Sequence, residues 1–355
     1  MEKIVVDYVY KNFYTSRSKA REDVNQIAKC NGFTPFLINT RTTTEYTESH
    51  TSRIRGFLYD LRKIFILLRS VLSIKSGSLV LLQYPFSPFG EFFTLFFCRC
   101  LKMKKCHLVI LIHDIINFRM KEQFDKTETN IFNTASELIV HTPQMRKLLK
   151  ENGIIRPSKL LWLFDYLTDE VPSEDPHHFD AKSIAFAGAA GKSSHFLNKI
   201  KVANYTGVQL HLYGRQPDDT AEYPEWMKYI GRFSPENITM LAEGWGLTWD
   251  GDGVDTLCGP LGDYLKYNSS HKTSLYIAAG IPVVVSKESA LADYVEKNKL
   301  GITISSLLDL DRRITEFDQE ELQDIRKHVA EMSKVLRTGG MLGAVLQSIL
   351  EEIDA

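Results

Sequence analysis

The stretch NSSHKTSLYIAAGIPVVV, Asn268 to Val285, carries a short helix through a glycine and a proline directly into an apolar strand. A chain assembled from such units folds as a parallel sheet covered by helices. The head of this helix also carries chemistry. A helix N-terminus holds backbone N–H groups without intrahelical partners and about half a positive charge, so it favours anions. Lys272 adds a full charge in the first turn, and His271, Ser270 and Thr273 add donors beside it. A diphosphate fits this chemistry. The plainer alternative is a capped core helix with an exposed lysine.

The same alternation runs through the rest of the chain. The composition predicts strands at Lys3–Tyr10, Phe33–Asn39, Leu79–Gln83, His107–Ile112 and Glu137–His141, because these runs are β-branched, aromatic or continuously apolar. Helical patterns separate them: Ser18–Asn31 with Gly32 behind it, Ile54–Ile74, Phe89–Leu101, and a helix opening at Pro143. An acidic, proline-containing segment follows, Phe164 to Asp180, and reads as a linker. A second alternating series then predicts strands at Ser183–Ala187, Val208–Tyr213, Leu247–Trp249, Pro282–Val285 and Gly301–Ile304. The expected architecture is α/β: two Rossmann-like, doubly wound parallel-sheet domains, residues 1–166 and 181–355, facing each other across a cleft. The last helix is free to pack back on the first domain. Ligands of such sheets bind at the carboxyl ends of the strands.

Composition narrows the classes of function. The 355 residues suffice for two domains, and a net charge of −1 gives no field for nucleic acid. The five cysteines, Cys30, Cys98, Cys100, Cys106 and Cys258, are odd in number and mostly lie in apolar runs, which fits reduced thiols in the cytoplasm. Cys98, Cys100 and Cys106 lack paired CxxC spacing, which argues against zinc. MEKIVVDYVY enters a strand at once and lacks the basic and long apolar regions of a signal peptide. No apolar run reaches the roughly 18 residues that a membrane-spanning helix needs.

Four further segments carry candidate chemistry. Gly188-Ala189-Ala190-Gly191-Lys192-Ser193 follows the first strand of the second domain and lets backbone approach a phosphate or sugar. It is neither a P-loop nor a GxGxxG turn, because Phe186 stands where a P-loop requires glycine. Asp250 and Asp252 in WDGD have the DxD spacing that some nucleotide-sugar enzymes use for a metal. Here the basic helix supplies countercharge, so carboxylates that accept sugar hydroxyls or fix Lys272 are expected, with no metal. His113-Asp114 ends the strand LVILIHD, where a carboxylate can act as general base; the plainer role is a helix cap. The first strand-to-helix turn brings Arg17, Lys19 and Asp23. The Phe86–Lys105 and Arg53–Lys75 stretches combine apolar and basic residues; they suit an anionic lipid surface, or simply pack on a sheet.

In sequence and order these pieces resemble the bacterial O-antigen β-1,6-galactofuranosyltransferases. The matching segments are KARED (Lys19–Asp23), IHDI (Ile112–Ile115) with Arg119, HTPQM (His141–Met145), FDYL (Phe164–Leu167) and Ala187-Gly188. They continue with WDGD (Trp249–Asp252), GDYLKYN (Gly262–Asn268), HKTSLY (His271–Tyr276) and ALADYV (Ala290–Val295). A more distant likeness, through the lysine and AAGIPV (Ala278–Val283), is to the glucosyltransferases that add the second sugar to serine-rich adhesins. The family has a more polar turn after Ala-Gly than Ala189-Ala190-Gly191.

The resemblance implies a GT-B fold, a UDP-sugar donor bound by the second domain, a glycan acceptor held by the first, and inversion at the anomeric carbon. The expected reaction moves galactofuranose from UDP-galactofuranose to a sugar hydroxyl of a polysaccharide precursor. Alternatives are a UDP-glucose-dependent enzyme acting on a glycosylated protein and a non-catalytic, glycosyltransferase-like subunit. Asp114, His113 and Lys272 are the expected catalytic residues. Gly188, Gly191, Tyr213, Gly231, Asp250, Asp252, Asn268, Ser270, His271, Lys272 and Thr273 are expected to bind the donor, with Gly214 and Phe233 beside them. Arg17, Lys19, Asp23 and Arg119 are expected at the acceptor. No cofactor is expected. A lipid-linked acceptor, peripheral contact with the inner face of the cell membrane, and a homo-oligomer are left open.

Overall fold

Among the residues that the computed structural model describes, twelve strands, six in each of two sheets, run parallel throughout. The structure describes residues 1–8, 16–39, 53–86, 89–121, 123–172, 179–188, 195–203, 205–215, 222–241 and 244–355, and leaves aside the side chains of 16, 17, 53–59 and 121. The chain divides into two units. Unit 1 comprises residues 1–141, 145–161 and 343–355, and unit 2 comprises 142–144 and 162–342.

Unit 1 contains β1 (Lys3–Tyr8), β2 (Thr34–Ile38), β3 (Leu79–Tyr84), β4 (His107–Ile112), β5 (Glu137–Val140) and β6 (Ser158–Leu160). Their order is β2-β1-β3-β4-β5-β6, so the winding reverses between β1 and β3. The central strands β3 and β4 are buried along nearly their whole length, as apolar strands covered on both faces must be. The segment from Gly343 closes this unit, where Lys159 bonds Ser348 at 3.2 Å and pairs with Glu352.

Unit 2 contains β7 (Ser183–Ala187), β8 (Gln209–Tyr213), β9 (Met227–Gly231), β10 (Trp245–Thr248), β11 (Val283–Ser286) and β12 (Gly301–Ile304) in the order β12-β11-β10-β7-β8-β9. Its winding reverses between β7 and β10. Two strands here and in unit 1 escaped the sequence reading. β9 and β6 lie at sheet edges, where exposed Lys228 and half-exposed Lys159 interrupt the apolar run that marks a covered strand. The linker expectation also meets a different environment: Phe164, Asp165 and Tyr166 are buried. Asp165 accepts the backbone N–H groups of Met341 and Leu342, capping the helix Gly340–Asp354. Residues 173–178 of that segment lie outside the described residues.

Candidate active site

At the reversal point of unit 2 stand the carboxyl ends of β7 and β10, and the helix His271–Ala278 packs directly beneath them. This helix starts later than the sequence suggests, because Ser270 is its N-cap: the Ser270 hydroxyl accepts from Lys272 N at 3.3 Å. Tyr276 fixes the helix on the sheet. Its hydroxyl accepts from Ala187 N at 2.7 Å and donates to Leu247 O at 3.2 Å, bridging β7 and β10. Gly246 is what lets the ring in, since a Cβ there would sit 2.2 Å from the Tyr276 ring.

Lys272 is thereby carried to the strand ends. Its Nζ donates to Asp250 Oδ1 at 2.6 Å and to Trp249 O at 3.1 Å, and lies 4.9 Å from the centre of the Phe186 ring. A Cβ built on Gly188 would come within 3.9 Å of Lys272 Cε. The lysine therefore borders the first glycine after β7, with part of its side chain, 16%, still open to solvent. His271 stacks on Phe164, ring centres 4.3 Å apart and tilted 32°. Asn268, just ahead, buries a side-chain oxygen that accepts no hydrogen bond among the described residues. Thr273 behaves differently: it is fully buried and its hydroxyl meets that of Thr248 at 3.1 Å.

Three glycines line the adjacent strand ends. Gly188 N donates to Tyr213 O at 2.9 Å, and Gly214 N to Gly231 O at 2.8 Å. Gly214 has φ +117°, and a Cβ on it would strike Gly188 O at 2.3 Å, so no other residue fits. Tyr213 is buried edge-to-face against Phe233, ring centres 5.8 Å apart. Gly191, with the rest of 189–194, lies outside the described residues. The two carboxylates of the DxD turn diverge. Asp250 holds Lys272, while Asp252 Oδ1 meets His195 Nδ1 at 2.8 Å. Trp249 Nε1 donates to Gly253 O at 2.8 Å and closes the turn between them.

In unit 1 the end of β4 carries His113 and Asp114. Asp114 Oδ2 pairs with Arg119 Nη1 at 2.7 Å, and both remain partly open to solvent. His113 Nε2 is 2.8 Å from Gln83 Oε1 and donates to it, since Gln83 uses its amide to donate to Asn25 Oδ1 at 2.8 Å. Behind them Asp7 accepts from Arg21 Nε at 3.0 Å and Nη2 at 2.5 Å, and from Asn25 at 3.1 Å. This buried network ties β1, β3 and β4 together at the reversal point of unit 1. Sequence reasoning missed it, although Arg21 stands inside KARED. Lys19 and Asp23 from the same segment are buried as an ion pair at 2.6 Å, and the Arg17 side chain is not described.

Glu128 is a second residue that the sequence did not flag. It is fully buried, and Tyr84 donates its hydroxyl to Oε1 at 2.8 Å. Burial pushes its carboxyl up to about 7; the Tyr84 hydrogen bond opposes this, neighbouring Glu91 adds to it, and the backbone N–H groups of Ile116 and Asn117 oppose it. Tyr84 O in turn accepts from His113 N at 2.7 Å. Glu128 thus sits under the turn that carries Asp114.

Comparison with known proteins covers both units. Residues 3–161 match the family model "Glucosyltransferase 3-like, N-terminal domain", and residues 184–349 match "Glucosyltransferase 3-like, C-terminal domain". The chain is 30% identical over 288 residues to beta-1,6-galactofuranosyltransferase WbbI of Escherichia coli (strain K12), covering 79% of this chain and 81% of that protein. It is 28% identical over 286 residues to glucosyltransferase 3 of Streptococcus gordonii, with 79% and 81% covered. Among solved structures, HepE of Anabaena in complex with UDP superposes with a TM-score of 0.63 at 12% identity, covering 99% of each chain.

Proposed function

The chain is a glycosyltransferase of the glucosyltransferase 3-like family, and from its 30% identity to the galactofuranosyltransferase we propose that it moves galactofuranose from UDP-galactofuranose to a sugar hydroxyl of a polysaccharide precursor. Its two doubly wound sheets are those of the GT-B fold. The placement of Lys272 at the reversal point of unit 2 carries the reading. A donor diphosphate meets a cation there, held by Asp250 at the head of a helix and beside a row of glycines that admit close approach. Binding of UDP by the HepE neighbour supports the same donor class. Asn268 offers a buried acceptor to a sugar or nucleotide N–H or O–H group, which relieves an unmet hydrogen bond of about 1–3 kcal/mol.

The reaction is a single in-line displacement. The acceptor hydroxyl oxygen forms a bond to the anomeric carbon while the bond from that carbon to the diphosphate oxygen breaks, and UDP departs from the opposite face. The configuration inverts. Asp114 takes the hydroxyl proton, and Arg119 holds the carboxylate in place. Lys272 and the helix head take up charge on the departing diphosphate, in a transition state with oxocarbenium character. His271, braced by Phe164, donates beside them. No metal takes part in this scheme, because Lys272 supplies the countercharge.

The family description and the 28% identity to the streptococcal enzyme favour a second reading, transfer of glucose from UDP-glucose to a glycosylated protein. A panel of UDP-galactofuranose, UDP-galactopyranose and UDP-glucose, scored for UDP release, separates the two. The furanose donor turns over fastest on the first reading. Fastest turnover of UDP-glucose replaces it with the second, and no release from any donor removes both.

A further inference from the structure

From Asp60 onward the helix Arg53–Ser73 presents two apolar faces, and among the described residues one of them is buried and the other exposed. Leu67, Val71 and Ile74 are buried in unit 1. Leu61, Phe65, Leu68 and Leu72 recur at helical spacing on another side and stand 45%, 67%, 41% and 78% exposed. Arg62 and Arg69, one beside each half of this stripe, are exposed too. The neighbouring helix Gly90–Met103 continues the pattern. Phe92 and Met103 are 69% and 76% exposed, and Arg99 lies between them on the same face. The two helices are tied at both ends: Lys63 Nζ lies 4.9 Å over the Phe93 ring, and Lys104 Nζ donates to Val71 O at 2.8 Å.

We propose that this face of unit 1 docks on an anionic lipid bilayer, with the Leu61–Phe65–Leu68–Leu72 stripe entering the interface and Arg62 and Arg69 engaging lipid phosphates. Charge complementarity selects this occupant. Exposed large apolar side chains flanked by arginines match the boundary between acyl chains and anionic headgroups, where arginine stems lie on the apolar layer and the guanidinium groups reach outward. A second copy of the chain fits worse, since a two-fold contact through the stripe brings the same arginines together. Asp60 is the acid on the described part of this helix, at the end away from Arg69 and Leu72.

The test is sedimentation of the full chain with vesicles of phosphatidylcholine alone and of phosphatidylcholine with about one-third phosphatidylglycerol, at low and high salt. The proposal expects sedimentation with the anionic vesicles only, lost as salt rises. Each arginine-to-glutamine change at Arg62 or Arg69 should lower partitioning about fivefold. Phe65→Glu with Leu72→Glu should lower it by at least about tenfold. All these positions are exposed, so the variants keep the wild-type circular dichroism, and UDP release in solution stays at the wild-type level. Failure of the wild type to sediment with anionic vesicles overturns the proposal. So does equal binding to neutral vesicles, or a concentration-dependent dimer that Phe65→Glu abolishes without any vesicle binding. None of these outcomes alters the donor assignment, which the UDP-release panel tests separately.

Discussion

Lys272 Nζ lies 2.6 Å from Asp250 Oδ1, so the cation that the proposed reaction offers to a donor is already paired with a carboxylate. On the proposed reading the carboxylate aims the ammonium and shares it with an incoming phosphate. The two residues should therefore differ in how much their loss costs. Lys272→Ala removes a charge-assisted contact of about 1.5–3 kcal/mol and should lower turnover roughly ten- to a few hundredfold, with UDP binding weakened as well. Asp250→Asn leaves the charge but loosens its aim, and should cost about tenfold or less. Steady-state kinetics and calorimetric UDP titration read both. Wild-type kinetics in Lys272→Ala would remove the lysine from the site.

Asp114 should separate chemistry from donor affinity. Asp114→Asn keeps the shape and a hydrogen bond to Arg119 but cannot accept the hydroxyl proton. A positioned general base is worth roughly 100- to 10,000-fold. The expected result is a fall in kcat within that range, while UDP binds as in the wild type. Loss of UDP affinity or of thermal stability, with kcat otherwise unchanged, would mark Asp114 as structural.

Glu128 should make stability depend on pH around neutrality. Its carboxyl is pushed from 4.5 up to about 7 in the native state, chiefly by burial. Between those values the folded protein holds a proton that the unfolded chain releases. Its contribution is thus fully present below about pH 4.5 and is lost as pH rises through about 7, amounting to at most about 3 kcal/mol. Glu128→Gln imitates the protonated form and should flatten the fall in the urea midpoint between pH 5 and 8. Wild-type and variant midpoints that fall in parallel would locate the titration elsewhere.

Divalent metal should be dispensable. Asp250 and Asp252, the pair with DxD spacing, each face a cationic or imidazole side chain, Lys272 and His195. Among the described residues no group of three His, Cys, Asp or Glu is arranged to hold a metal ion. UDP release should persist in excess EDTA. Abolition of release that magnesium or manganese restores would return the two aspartates to a metal-binding role.

Strands covered on both faces were legible because that burial leaves a continuous apolar run: His107–Ile112, Ser183–Ala187 and the buried edge strand Gly301–Ile304 were placed residue for residue. The edge strands β6 and β9 were not, since their partly exposed residues form no such run. The segment at Lys272 stood out because four polar residues at a helix start exceed what capping needs. What escaped was everything that depends on meeting across the sheet. Gln83, Asn25 and Asp7 carry no local pattern, yet they set the tautomer of His113. Glu128 drew no notice in the sequence, and only packing revealed that it is buried beneath the Asp114 turn. Thr273 was read as a donor at the helix head beside Lys272, whereas the helix turns it onto Thr248.

The hydroxyl of Tyr276 stitches Ala187 to Leu247 through a gap that Gly246 keeps open. That stitch indexes the lysine-bearing helix to two strands at once. A shift of even one helical step would break both bonds and drive the ring into backbone. On the proposed reading the socket is therefore set before any sugar nucleotide arrives, and accommodation among different donors has to come from the far end of the ligand.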